Sequence, residues 1–233
     1  MPGSRCPLVE WPQSSVIGVY RFRMQKDWIT ASDVLPLFPT FVWKTQLASH
    51  VQEPINDRIG QLLKTLAPKL KHGQAWQSHH RLYELDEFTE LFQYVTKTTT
   101  TVLEFLKISY RKLEVTACWA TINAPGRGHP KHAHPNSFLS GVYYIQTQSG
   151  ANTINFHDPR VQPAIIRPPV TELVAANVDQ AVITVADGTL LVFPSWLEHS
   201  VDVNASKRIR ISLSFNSMFS EYTEQLCKPL WGE

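Results

Sequence analysis

Cysteine is scarce in this chain: Cys6, Cys118 and Cys227 are the three in 233 residues, and none belongs to a CxxC pair. An odd, dispersed set excludes a disulfide framework and a thiolate zinc site, and it suits a reducing compartment. Charge of one sign is lacking too, with 22 Lys+Arg against 20 Asp+Glu and a net charge of +2. No strong field is left to hold a nucleic acid or an anionic membrane, so neither is expected as a partner. Long apolar runs are absent: no stretch of about 18 apolar residues occurs, and the N-terminal residues show no apolar targeting core. The expectation is a cytoplasmic chain with no membrane span. No internal repeat or low-complexity tract is present.

What the sequence does contain is enough apolar material for one sizeable core, 43% of its residues. Residues 1–33 carry Pro2, Pro7 and Pro12 and keep no hydrophobic period, so they read as an N-terminal extension ahead of one domain over 34–233. The aromatic and β-branched run from Leu37 to Lys44 predicts a strand, and Pro39 assigns it to a sheet edge. Ile55, Ile59, Leu62, Leu63 and Leu66 share one helical face, and Pro68 closes the segment. A second helical face runs from Phe88 to Leu106, although Thr98 to Thr101 are poor helix formers.

After Tyr110 the period becomes two, with Leu113, Val115, Ala117 and Trp119 on one face of a strand. More strands are predicted at 138–146, 152–156, 181–185, 189–193 and 208–215, separated by Gly, Pro, Asn and Asp. Helices followed by many short strands give an α+β chain: a double-stranded β-helix (jelly roll, cupin-like) with N-terminal flanking helices.

Five of the nine histidines lie between positions 129 and 199. Residues i and i+2 of a strand share a face, so His132 and His134 could present two imidazoles together at a barrel mouth. His199 follows the strand 189–193 and the link Pro194-Ser195-Trp196, where a rim would place a third ligand. Imidazole and carboxylate donors with open positions favour iron(II), although an all-nitrogen set also suits zinc. Arg208 sharpens the choice. In Arg-Ile-Arg-Ile-Ser-Leu-Ser-Phe-Asn it begins a polar ladder that continues through Arg210 and Ser212, and a guanidinium there can grip a dicarboxylate co-substrate by a bidentate contact.

These residues, with Ser140-Gly141-Val142-Tyr143-Tyr144-Ile145, Phe156-His157-Asp158-Pro159-Arg160 and Phe193-Pro194-Ser195-Trp196-Leu197-Glu198-His199, resemble the 2-oxoglutarate-Fe(II) oxygenases related to prolyl 4-hydroxylases. The likeness runs from roughly Leu37 to Asn216. It implies a jelly roll that binds Fe(II) and 2-oxoglutarate, activates dioxygen and hydroxylates a small-molecule or peptidyl substrate. Arg208 would hold the distal carboxylate of 2-oxoglutarate, and Tyr144 matches a tyrosine that assists in prolyl hydroxylases. The chain departs from the family at His134, where an Asp is usual. Three ligand sets stay open: His132 with His134 and His199, a set completed by Asp158, or a shifted register using His134 with Asn136.

Plainer roles stand beside these. His79, His80 and His129 read as surface or structural histidines, Asp158 as a turn residue before Pro159, and Phe193 and Trp196 as rim packing. Tyr143 and Tyr144 must point to opposite faces, so at most one lines a site. Asn123, Ser137 and Asn216 fall at strand ends where small polar groups could orient a co-substrate. Two rival functions fit the same barrel: a three-histidine cupin-type dioxygenase without a 2-oxo acid, and a non-catalytic ligand-binding barrel. Oligomeric state is not readable.

Overall fold

The structure is a computed structural model that describes residues 37–161, 165–166, 168–174 and 176–223, together with 20–21 and 33–34. The chain divides into two units, Met1–Phe41 and Val42–Glu233. In the first, β1 (Tyr20–Arg21) pairs antiparallel with β2 (Asp33–Val34). Most of the expected extension 1–33 lies outside the described residues.

The second unit opens with β3 (Trp43–Gln46), later than the run from Leu37 suggests. Phe38 has a φ of 54° and Pro39 offers no N–H, so ladder pairing starts only at Trp43. Helix α1 (Ser49–Leu66) buries Ile55, Ile59 and Leu63, while Leu66 stays 44% exposed. Helix α2 (Thr89–Phe105) continues through its threonine run because the hydroxyls bond back into the helix. Thr99 Oγ1 donates to the Val95 carbonyl at 3.0 Å and Thr101 Oγ1 to that of Lys97 at 3.1 Å.

The remaining strands are β4 (Ala75–Gln77), β5 (Leu113–Asn123), β6 (His129–His132), β7 (Leu139–Gln146), β8 (Thr153–His157), β9 (Gln180–Thr184), β10 (Thr189–Pro194), β11 (His199–Val201) and β12 (Arg210–Phe219), followed by the short helix α3 (Ser220–Thr223). They form a six-stranded sheet in the order β3-β10-β7-β12-β5-β4 and a four-stranded sheet in the order β6-β11-β8-β9. The pairing in both is antiparallel, which gives the jelly roll with helices ahead of it.

Strand alternation sorts the side chains into two interiors. One face of the six-stranded sheet packs on α1 and α2 through Tyr143, Leu190, Leu213 and Phe215, among others. Tyr143 donates its hydroxyl to Asn56 Oδ1 of α1 at 2.7 Å, so the ring is buried and its polar tip satisfied. On the opposite face Val142, Tyr144 and Leu191 pack with Ile154 and Phe156 of the other sheet.

The expected single face of β5 is broken. Asn216 pairs with Ala117 but Ser217 pairs with Val115, so a β-bulge falls at Thr116. Leu113 and Val115 pack on the helical side; beyond the bulge that side belongs to Cys118, Ala120 and Ile122. Ala117, Trp119, Thr121 and Asn123 are thereby turned toward the space between the sheets.

Gly141 in β7 sits at a closely packed point of the sheet. A β-carbon there would meet the Phe215 ring and come within 2.6 Å of the Leu191 carbonyl oxygen. Gly141→Ala is expected to cost about 1–3 kcal/mol through overpacking. Urea unfolding measures this, and an unchanged midpoint would show that the sheet can yield at this point.

Candidate metal centre

His132 ends β6 and His199 begins β11, and the two are direct cross-strand partners. His134 lies beyond the strand rather than in it, because β6 stops at His132. Its place is set by its N–H, which donates to the Ser195 carbonyl at 2.9 Å and ties the turn after β6 to the link after β10. The three rings still converge. One nitrogen of each lies within 4.8 Å of the others, and ring centroids are 4.3 Å apart for His132 and His199, 5.1 Å for His134 and His199 and 5.2 Å for His132 and His134.

Each imidazole is also oriented by an acceptor at Nδ1. Pro130 O lies 2.9 Å from that atom of His132, Leu197 O lies 3.0 Å from that of His199, and Asn216 Oδ1 lies 2.6 Å from that of His134. A carbonyl oxygen can only accept, so Nδ1 carries the proton in all three rings and Nε2 keeps its lone pair. His134 Nε2 is buried without a hydrogen-bond partner. An orphaned acceptor of this kind suits a metal ion. Burial lowers the His134 pKa, and it drives that of His199 down to about 3 despite the opposing Leu197 carbonyl. Neutral donors result.

Asn216 itself is held. Ser140 Oγ lies 2.8 Å from Asn216 Oδ1 and 2.8 Å from Ser195 Oγ, which fixes the amide against His134. Trp119 stacks on the other side of His134 with centroids 5.5 Å apart, and His80 covers Trp119 at 4.9 Å. Ser140, near the start of β7, and Ser195, just after β10, carry no sequence signal beyond being buried hydroxyls.

A cavity of about 510 Å³ lies against the three histidines, between the two sheets. The inward face of β12 supplies Arg210, Ser212, Ser214 and Asn216. Arg210 is only 3% exposed, its guanidinium sits 5.2 Å from the Tyr144 ring, and its Nε has no partner. The Tyr144 hydroxyl is likewise buried and unpartnered; burial raises its pKa to about 12, against the pull of Arg210. A buried cation and phenol left unsatisfied point to an anionic ligand that bonds to both. Asn123 and Ser137 also line the cavity. His129 sits on its wall with its ring 4.4 Å from His132, its pKa brought down to about 4 by burial and by His132 and Arg127.

Two expected site residues are not brought there. Arg208 precedes the strand, so it does not share the inward face of Arg210; it is exposed and lines a separate hollow beside Gln52 and Asp57 of α1. Asp158 follows β8 and is held by Arg160, with Nη2 at 2.5 Å and Nε at 3.0 Å, and it does not line the cavity. Asn136 lines the cavity in a left-handed turn, φ 56°, outside the histidine cluster. Phe193 is buried between the sheets, whereas Trp196 is 55% exposed.

Comparison with known proteins agrees with this geometry. Residues 117–216 match the family model described as "Putative 2OG-Fe(II) oxygenase". The match spans 100 of the 233 residues and makes that segment similar to this family. No curated protein matches the chain. Among solved structures, the alpha-ketoglutarate-dependent carbocyclase SnoK of nogalamycin biosynthesis has a TM-score of 0.58 at 11% identity, over 83% of this chain and 90% of that one. A Pseudomonas putida prolyl-4-hydroxylase has a TM-score of 0.53 at 13% identity, over 77% and 93%. HygX from Streptomyces hygroscopicus, with nickel and 2-oxoglutarate bound, gives 0.53 at 11%, over 78% and 83%. These similarities show the fold, a double-stranded β-helix. Among the described residues no helix is long and apolar enough to cross a membrane.

The Asn216 contact yields a test. Asn216→Ala removes the acceptor that orients His134 and is expected to weaken metal binding by about 10–100-fold. Titration with Co(II), followed by its visible absorption, measures this; unchanged affinity would mean that His134 needs no such support.

Proposed function

We propose that the protein hydroxylates a small-molecule or peptidyl substrate, with His132, His134 and His199 holding the iron through their Nε2 atoms. Arg210, rather than Arg208, binds the distal carboxylate of 2-oxoglutarate, and the Tyr144 hydroxyl donates to the same group. The observation that carries this reading is the unsatisfied pair of Arg210 Nε and Tyr144 OH, which shares one cavity with the three converging imidazoles. When bound, iron and the 2-oxo acid supply dioxygen activation coupled to loss of carbon dioxide. The chain contributes position. Asn216 and the carbonyls of Pro130 and Leu197 keep each Nδ1 protonated, and Val142, Tyr144 and Ile154 restrict water at the inner wall.

The all-imidazole donor set gives the three-histidine dioxygenase without a 2-oxo acid one specific point in its favour. Co-substrate binding separates the two. Anaerobic titration of the Fe(II) protein with 2-oxoglutarate is expected to produce the weak visible charge-transfer band of a chelated 2-oxo acid. Arg210→Ala should weaken that titration by about 10–100-fold, as loss of a charge-assisted contact implies, while Arg208→Ala leaves it unchanged. Iron binding without the band would favour the rival, and a loss confined to Arg208→Ala would return the clamp to that residue.

His199→Ala is expected to abolish 2-oxoglutarate decarboxylation, measured as succinate release. Retained decarboxylation would remove His199 from the ligand set.

A further inference from the structure

Of the three converging histidines, His134 is the one outside a strand. His132 and His199 face each other across β6 and β11, and the acceptor at each Nδ1 is a main-chain carbonyl two residues earlier in the chain. His134 follows the end of β6, and the acceptor at its Nδ1 is a side chain of β12, that of Asn216. Its backbone N–H is tied to the Ser195 carbonyl. A hydrogen bond to one ring atom sets the direction of that atom but leaves the ring free to swing about the bond, so the plane of this imidazole needs a further restraint.

Trp119 offers a surface in the right place. Its ring centroid lies 5.5 Å from that of His134 at an interplanar angle of 27°, and among the described residues it is the one aromatic ring against His134 that is not itself a candidate ligand. The indole is brought there by the bulge at Thr116. On an uninterrupted β5, Trp119 would follow Leu113 and Val115 to the helical side; with the extra residue it pairs with Ser214 on the cavity face. His80 backs the indole at 4.9 Å. Although the His80 side chain is exposed, its main chain is pinned to β5. Its carbonyl accepts the Cys118 N–H at 2.8 Å, and two residues earlier Ser78 donates its N–H to the Ala120 carbonyl at 3.0 Å and accepts the Ala120 N–H at Oγ, also at 3.0 Å. The stack of His80, Trp119 and His134 thus runs from an anchored segment to the metal centre.

We propose that Trp119, backed by His80, is a positioning residue that sets the plane of the His134 imidazole and so lets a histidine serve as a ligand at this position. The inference rests on the three-histidine metal site and holds whichever co-substrate that site takes. A ring face is what the stack contributes. Phenylalanine at position 119 would keep such a face, whereas leucine would fill part of the space without one.

Co(II) titration and proton NMR of the Co(II) protein test this. Co(II) moves the Nδ1 protons of coordinated imidazoles far outside the ordinary range, so each ligand is seen separately, and the His134 signal is the one that exchanges with water in Asn216→Ala. Trp119→Leu is expected to weaken Co(II) binding by about 2–10-fold, the range for loss of an aromatic pair. It should also shift or broaden the His134 signal while those of His132 and His199 stay in place. Trp119→Phe should retain most of the affinity. A role in packing alone would make the Leu and Phe variants behave alike or disturb all three signals, and either result overturns the proposal while the metal site stands. His80→Ala, at an exposed position, should move the His134 signal alone; if Trp119→Leu does not fold, an unmoved signal in His80→Ala overturns the proposal. If the wild-type protein binds no Co(II), the metal-site reading fails and this proposal fails with it.

Discussion

The pairing of His199 with His132 across β11 and β6 is the constraint on which the rest of the centre depends. Both strands are short, four residues and three, and neither could hold a ring in place alone. Cross-strand registry sets the distance between two imidazoles, and the Pro130 and Leu197 carbonyls set their tautomers. The third ring is fastened separately, by the Ser195 carbonyl on its backbone and by Asn216 on its side chain. Three neutral nitrogens are thus arranged before any ion arrives, so little reorganisation is needed on binding.

The six-stranded sheet supplies the opposite wall, and it does so by using each strand twice. Ile211, Leu213 and Phe215 of β12 pack with the helices, while Arg210, Ser212, Ser214 and Asn216 face the cavity. A single strand therefore carries both core residues and the polar ladder. The bulge at Thr116 performs the same division on β5 by exchanging its faces partway along. Tyr143 and Tyr144 show the outcome: one phenol is satisfied by Asn56 on α1, and its neighbour is left unsatisfied between the sheets.

Much of this was legible in the sequence, for identifiable reasons. The apolar spacing of α1 and the period of two after Tyr110 gave helices followed by a jelly roll, because each pattern is a direct projection of burial. The histidine excess singled out His132, His134 and His199, which the fold does gather. Other features depend on the exact start of a strand. Arg208 and Arg210 are equally plausible on an uninterrupted ladder, and only the turn over 202–209 shows that pairing begins at Arg210. The bulge in β5 leaves no compositional trace, so a single face was expected where two exist. β6 and β11 are too short to show a period, and the partnership of Ser140, Ser195 and Asn216 is a tertiary contact that no local pattern encodes.

The most direct test of the central claim is a crystal structure of the protein grown anaerobically with Mn(II) and 2-oxoglutarate. The account predicts one ion on the Nε2 atoms of His132, His134 and His199, with the distal carboxylate of 2-oxoglutarate on Arg210 and the Tyr144 hydroxyl. An ion that takes the carboxylate of Asp158 in place of His134, or a 2-oxoglutarate anchored by Arg208, would contradict it.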